Sequence, residues 1–360
     1  MTFWVGLDLG GRETKLCVVG AQGEVIHERY CPSDAEEIHA ALSAFPIEQI
    51  QLVSVEAGGG THIVRRLRAF DYPVAIFEAR TASKFLKIRR DKTDDGDARG
   101  LADLGRLGQS TVSRVRLKGL ERQQLRSRLM VRHKLVRHRV AVDNVIRDLL
   151  TLYGGTWKRT EATGGTRIWG QEQIELIKAA QNVDRTAELC PLIELSEALQ
   201  SYLKETDKWL LKRAEGNPLC RRFMEIPGVG PICALSFYTA IEDPFQFPKT
   251  SSVGSFFGLA PTVSQSGTRE TRKGISKMGS RLTRMHLFVA ANTFFSRYKE
   301  DAALRSWALG LAGRIGKKKA KIALARTLAM VMLAMWKDGS SFDLNHRLGS
   351  SPPAPADSSS

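Results

Sequence analysis

Four acids and one serine carry the chemistry that this sequence could perform. Asp8 stands in the apolar run VGLDLG, where an uncompensated carboxylate costs several kcal/mol and a metal ion is its strongest compensator. Glu56 ends a second apolar run, QLVSVE, and Asp94 and Asp97 lie three apart in KTDDGDAR, on one face of any helix that begins there. Carboxylates converging from strands and a helix can hold two hard cations, which activate one oxygen and stabilise the leaving oxygen in phosphoryl transfer. Ser266 opens a basic stretch in which Arg269, Arg272, Lys273, Lys277, Arg281 and Arg284 accumulate against Glu270. A serine hydroxyl is a poor nucleophile until a base or metal removes its proton. Here His286, near in sequence, or the distant acid site must supply that help. If the serine attacks a phosphodiester, the arginines stabilise the charge that develops on phosphate. The joint expectation is metal-dependent chemistry on nucleic acid.

Taken singly, each residue also has an ordinary structural role. Asp94 or Asp95 can cap the following helix, Asp97 can pair with Arg99, Glu56 can end a strand, and Ser266 can be a turn residue beside Gly267. The ordered set, on strand 1, strand 4 and a following helix, is more specific than its members.

The elements that must position these residues follow from periodicity. Runs at 3–9, 15–19 and 24–30, broken by GG and AQG, predict an antiparallel meander. A helix at 34–44, a strand at 51–56, a helix at 61–70, a strand at 73–78 and a helix from about 94 complete the order β-β-β-α-β-α-β-α, that of an α/β ribonuclease H-like domain. From 120 to 152 there is no Gly or Pro, and Val131, Leu135, His138, Val142, Val145, Leu149 and Leu152 alternate at spacings of four and three. Leu192, Leu195, Leu199, Tyr202, Thr206 and Trp209 repeat the period. Two such helices predict an antiparallel hairpin or an intermolecular coiled coil, with His138 packed in the seam and a Gly-rich loop at 153–167 between them. IPGVGP at 226–231 predicts two helices joined by a tight turn, helix-hairpin-helix-like, whose Gly228 and Gly230 leave backbone N–H groups for a nucleic-acid phosphate. The expected organisation is a catalytic domain at 1–112, a helical coiled-coil connector at 113–215, a mainly α domain with the serine at 216–345, and a disordered tail at 346–360.

Charge divides along the same line. Residues 1–110 hold 14 Lys and Arg against 16 Asp and Glu, leaving 40 against 22 over 111–360. A basic part beside an acidic-site part implies gripping and cutting a polyanion. No apolar run reaches the roughly 18 residues of a spanning helix, LAMVMLAMW at 328–336 has the length of a buried helix, and MTFWVGLDLGG lacks a signal peptide's basic start. The expectation is a cytoplasmic protein with no membrane partner. Five cysteines without metal-binding spacing are expected to be reduced thiols.

The ordered combination GLDLG (6–10), VEAGG (55–59), KTDDGDAR (92–99), IPGVGP (226–231), FFGLAPTVSQSGTRETRKGISKMGS (256–280) and KDGSSFD (337–343) resembles the bridge-RNA-guided DEDD transposases of the one-ten insertion-sequence class, which include pilin-gene inversion recombinases. The resemblance spans nearly the whole chain. It implies a Holliday-junction-resolvase-like fold with Asp8, Glu56, Asp94 and Asp97 as ligands of Mg²⁺ or Mn²⁺, and Ser266 as the residue joined covalently to DNA. It also implies recombination of donor and target DNA selected by a structured noncoding guide RNA, in a homo-oligomer, a dimer or tetramer on DNA. Two other readings remain at this level. One is a metal-dependent junction nuclease in which water attacks. The other starts from LDLGGRETKLCVVG, which resembles the first phosphate loop of sugar kinases and actin-like ATPases. Against the latter, the only candidate second loop, EAGGGTH at 56–62, lies far too close in sequence.

Overall fold

The computed structural model describes residues 1–86, 94–108, 114–152, 186–266, 269–299 and 303–343. The Gly-rich loop at 153–167 and the tail at 346–360 lie outside them. The chain divides into two compact units, Met1–Lys118 and Gly119–Ser360.

In the first unit the strands β1 (Phe3–Leu9), β2 (Glu13–Val19) and β3 (Val25–Pro32) form an antiparallel meander. β4 (Ile50–Glu56) joins β1 in parallel, β5 (Val74–Phe77) joins β4 in parallel, and a two-residue β6 (Arg114–Val115) closes the edge antiparallel, giving the order β3-β2-β1-β4-β5-β6. Strand alternation sends odd and even residues of β1 to opposite faces. Val5 and Leu7 pack with Leu16, Val18 and Val53 beneath α1 (Ala35–Leu42) and α2 (Thr61–Ala69), whose Ile38, Leu42, Ile63 and Leu67 cover that face. The other face is covered by α4 (Asp94–Leu107), preceded by α3 (Ala79–Leu86), with Leu101 and Leu104 on Leu52 and Phe77, and Ala98 and Ala102 on Cys17 and Val19. The sequence reading had neither α3 nor β6. α3 follows β5 after a single residue, and β6 has only two residues, too few for alternation to register.

Gly6 decides how closely α4 approaches. A Cβ there would lie 1.9 Å from the Ala98 carbonyl oxygen and 2.5 Å from the Ala102 nitrogen. The helix backbone therefore rests on the strand backbone, two residues before Asp8.

The second unit opens with α5 (Leu120–Leu152) and α6 (Thr186–Gly216), each about 45–50 Å long at the helical rise. They run antiparallel. Leu125 and Leu129 pack in the core that holds Leu210 and Ala214, the Arg132 guanidinium pairs with Asp207, Ser196 donates to buried Asp143 at 2.6 Å, and Ile146 and Leu150 meet Ile193 and Leu189. The most buried residues of α5 are Leu125, Leu129, Asp143, Ile146 and Leu150, a row that partly overlaps the stripe read from the sequence. Of that expected stripe, Val142, Leu149, Leu192, Thr206 and Trp209 pack in or beside the cores, whereas Val131, Val145 and Leu152 are exposed, as are Leu195 and Tyr202 on α6, and His138 is exposed rather than packed. The packed face of α5 is wider than a single heptad row, as on a helix lying against a globular core, so one row drawn along the chain lies partly off it.

The rest is α7 (Pro218–Met224), α8 (Pro231–Ala240), α9 (Ser252–Phe256), a hairpin of β7 (Pro261–Ser266) and β8 (Arg269–Ile275), α10 (Arg281–Arg297), α11 (Ala303–Ile315) and α12 (Lys317–Asp338). Asn217 and Ser280 cap α7 and α10 by accepting from backbone N–H groups. Phe223, Phe237, Phe257, Phe294, Leu328 and Met332 centre the core. LAMVMLAMW is part of the buried side of α12, and among the described residues no helix is long and apolar enough to cross a membrane. All five cysteines are free, and burial pushes the Cys17, Cys220 and Cys233 thiols up to about 12.

Candidate active site

Asp8 and Glu56 end adjacent parallel strands on the face that α4 covers. The register pairs Gly6 with Ser54 and Leu7 with Val55, which carries Asp8 level with Glu56. Gly105 presses on Ser54, where an added Cβ would meet its Oγ at 2.2 Å, so both strands are clamped under one helix. Asp97 sits in the first turn of that helix, next to buried Ala98, and is half-buried like Asp8 and Glu56. Asp94 begins α4, but its side chain lies outside the described residues.

The three acids share one electrostatic field. Glu56 is held above the ordinary carboxylate value of 4.5, first by burial and then by the neighbouring charges of Asp8 and Asp97. Among the described residues no three carboxylate, imidazole or thiolate groups converge closely enough to hold an ion as they stand. The donor set nevertheless fits a hard cation: oxygen ligands only, on three elements, with a repulsion that a divalent charge would relieve. The sequence reading missed Lys15. It lies opposite Asp8 in the β1–β2 register, is 8% exposed, and holds its ammonium 4.4 Å from the centre of the Tyr30 ring. A charged residue at the head of the strand KLCVV was the available signal; only the register shows that it faces an acid.

In the second unit, the PGVGP turn lies between α7 and α8. Gly228 has φ +85°, and a Cβ there would come 2.5 Å from the Ala290 carbonyl oxygen, so this glycine lets the turn lie against α10. Gly230 caps α8 from open space, without a side-chain cap bond. Since Pro231 has no N–H, the first free donors of α8 are on Ile232 and Cys233.

Ser266 is the last residue of β7, opposite Arg269. The basic segment is thus largely a β-hairpin, with Arg269, Arg272 and Lys273 on β8. The side chains of Ser266 and of these three cations lie outside the described residues. Lys277 is exposed, with φ +56°, and Arg281 is exposed at the start of α10. Arg284 donates to the carbonyl oxygens of Phe257 (2.9 Å) and Met278 (2.7 Å), tying the loop after β8 to α9. His286 is buried in α10, and burial, with Arg132 and His133 nearby, lowers its imidazole to about 4.

Comparison with known proteins bears on both units. A family model described simply as a transposase, of the DEDD IS110 type, matches residues 5–154, and one described as "Transposase IS116/IS110/IS902 family" matches 220–307. The chain is 30% identical over 341 residues to the transposase for insertion sequence element IS1111A of Coxiella burnetii, covering 92% of this chain and 88% of the relative. It is 24% identical to the transposase for insertion sequence element IS1328 of Yersinia enterocolitica, over 81% and 85% of the two chains. It is also 24% identical to an uncharacterised insertion element IS116 protein of Streptomyces clavuligerus, over 93% and 94%. With acids gathered at one end of a mixed sheet and a helical, basic second unit, the chain belongs to the IS110 family of DEDD transposases, enzymes of insertion-sequence DNA transposition.

Proposed function

We propose that the chain cuts and rejoins DNA through a covalent serine–DNA linkage. In this reading a ribonuclease H-like domain (1–112) binds Mg²⁺ or Mn²⁺ through Asp8, Glu56, Asp94 and Asp97. A helical connector (113–215) joins it to a C-terminal domain (216–345) that carries Ser266. The observation behind the reading is the raised Glu56 carboxyl, which senses both Asp8 and Asp97 across three elements. The strand order, with an antiparallel meander continued by two parallel strands, supports the domain type.

When bound, the divalent cation supplies Lewis-acid polarisation of a phosphoryl oxygen and stabilises the departing one. The Ser266 Oγ attacks phosphorus, forming an O–P bond while the bond to the strand's leaving oxygen breaks. The serine proton passes to an acid-site carboxylate, and the leaving oxygen departs as a hydroxyl once protonated. A hydroxyl from the second DNA duplex then attacks the serine-linked phosphorus, restoring both the phosphodiester and the serine. Arg269, Arg272 and Lys273 offset the charge on the phosphate, while Lys277, Arg281, Arg284 and the Gly228–Gly230 turn follow the backbone. Placing acids and serine in different units favours sites completed between copies in a dimer or tetramer. Choice of donor and target DNA is assigned to base pairing with a structured noncoding RNA, which fits a chain whose cations outnumber its acids only after residue 110.

The test is incubation with the element's junction DNA, its adjacent noncoding RNA and Mg²⁺. A denaturation-resistant protein–DNA adduct should form with the parent protein and vanish in Ser266→Ala. Cleavage without an adduct in both proteins would instead mean that water attacks.

A further inference from the structure

The second unit contains a cavity of about 740 Å³, which shares the Gly228–Gly230 turn with the proposed path of the DNA backbone. Its walls are the middle of α5, the PGVGP turn with the start of α8, and the exposed side of α10. The lining is largely apolar, with Val136, Ile232 and Met285 among its residues, and Val140 and Val289 at its mouth are exposed at 45% and 54%. Arg132 and Arg137 are the charged residues lining it, beside His133, and among the described residues no Asp or Glu does. His286 also lines it, 8% exposed, and its Nδ1 is buried without a hydrogen-bond partner among the described residues.

We propose that this cavity receives one unpaired nucleotide of the nucleic acid the enzyme handles, the base lying on the apolar floor with an edge on His286 and the phosphate at the mouth. The dimensions suit it, since small-molecule sites span about 300–1,000 Å³. The chemistry divides in the right way. Burial keeps His286 neutral at pH 7, with one ring nitrogen donating and one accepting, which matches a base edge rather than a phosphate. The phosphate has exposed Arg137 and the Ile232 and Cys233 N–H groups at the open end of α8. An apolar helix from a second copy would leave Arg137 and these donors unanswered. From the preceding subsection the inference takes only nucleic-acid binding, and neither Ser266 nor the acids enter it.

The experiment measures binding of the full-length protein, without divalent metal, to a DNA duplex with a single-nucleotide 2-aminopurine bulge, to the matching bulged RNA duplex, and to fully paired controls. A tenfold preference for at least one bulged probe over its control is expected, within what stacking of one base supplies. Whichever probe is preferred identifies DNA or RNA as the source. Val289→Trp, a change at an exposed position that fills the mouth, should abolish the preference while leaving paired-duplex affinity within about twofold. His286→Phe keeps a ring but removes its nitrogens, and should reduce the preference when 2-aminopurine is varied for other bases. No preference in the parent protein, or one untouched by Val289→Trp, overturns the proposal. So does a change of oligomeric mass in Val289→Trp with the preference intact, which would make the cavity a face between copies. Loss of all nucleic-acid binding in the parent would instead remove the broader reading.

Discussion

At the scale of single residues, Glu56 is where electrostatics and function oppose each other. Its carboxyl is raised above 4.5, so the folded chain binds that proton more firmly than the unfolded chain. Stability from this group is therefore lost as pH rises from 4.5 through the raised value, and the deficit persists at neutral pH. Glu56→Gln should match the parent in denaturant midpoint at pH 4 and exceed it at pH 7, while transposition falls by more than ~100-fold, the upper end for disturbing even an indirect metal partner. Adding a divalent cation at pH 7 should raise the melting temperature of the parent and leave Glu56→Gln nearly unmoved. A cation response equal in both proteins would count against Glu56 as a ligand. That Lys15 stands opposite Asp8 could not be read from either residue's neighbours in sequence, because seven positions separate them and only strand pairing brings them level.

At the scale of elements, two glycines with similar sequence surroundings should respond in opposite ways. Gly228→Ala combines a φ of +85° with a Cβ 2.5 Å from the Ala290 oxygen. It should cost about 1–3 kcal/mol, measured by chemical denaturation, as crowding of a packed site does. Gly230→Ser occupies open space in extended backbone (φ −90°) at a helix cap, and should be neutral or stabilising by up to ~1 kcal/mol. The α5–α6 hairpin has a comparable test. Asp143 is 3% exposed and accepts from Ser196, so Asp143→Ala strands a buried hydroxyl and should cost about 1–3 kcal/mol. The heptad spacing showed two long helices but left a hairpin and an intermolecular coil both open, and it gave only part of the seam: Val142 and Leu149 pack in it, while Val131 and Val145 are exposed. The choice is made by partners such as Asp207 and Ser196, distant in sequence.

At the scale of the whole molecule, the excess of cations after residue 110 predicts binding that is separable from chemistry. Affinity for duplex DNA should fall about 10³–10⁵-fold between 50 and 200 mM salt if six to ten phosphates are neutralised. Chelating divalent metal should leave that binding intact and stop strand cleavage. Filter binding across a salt series, with and without chelator, checks both. A shallow salt slope would mean that the charge after residue 110 serves some other end than gripping nucleic acid.

The sequence by itself determined the alternation of β1, β2 and β4, the helix after Gly60, the acid-bearing start of α4, the two long helices and the buried character of 328–336. Each of these is a local pattern, written at a period of two or 3.6 by which side chains must leave water. Tertiary structure decided what periodicity cannot carry. It brought Asp8 and Glu56 level by parallel register and laid α4 on Gly6 so that Asp97 shares their field. It also set which part of the apolar face of α5 is covered, folded the serine segment into a hairpin, and enclosed His286 beside Arg132 and His133. These outcomes depend on backbone approach and on contacts between residues tens to hundreds of positions apart, and such contacts leave no period in the chain.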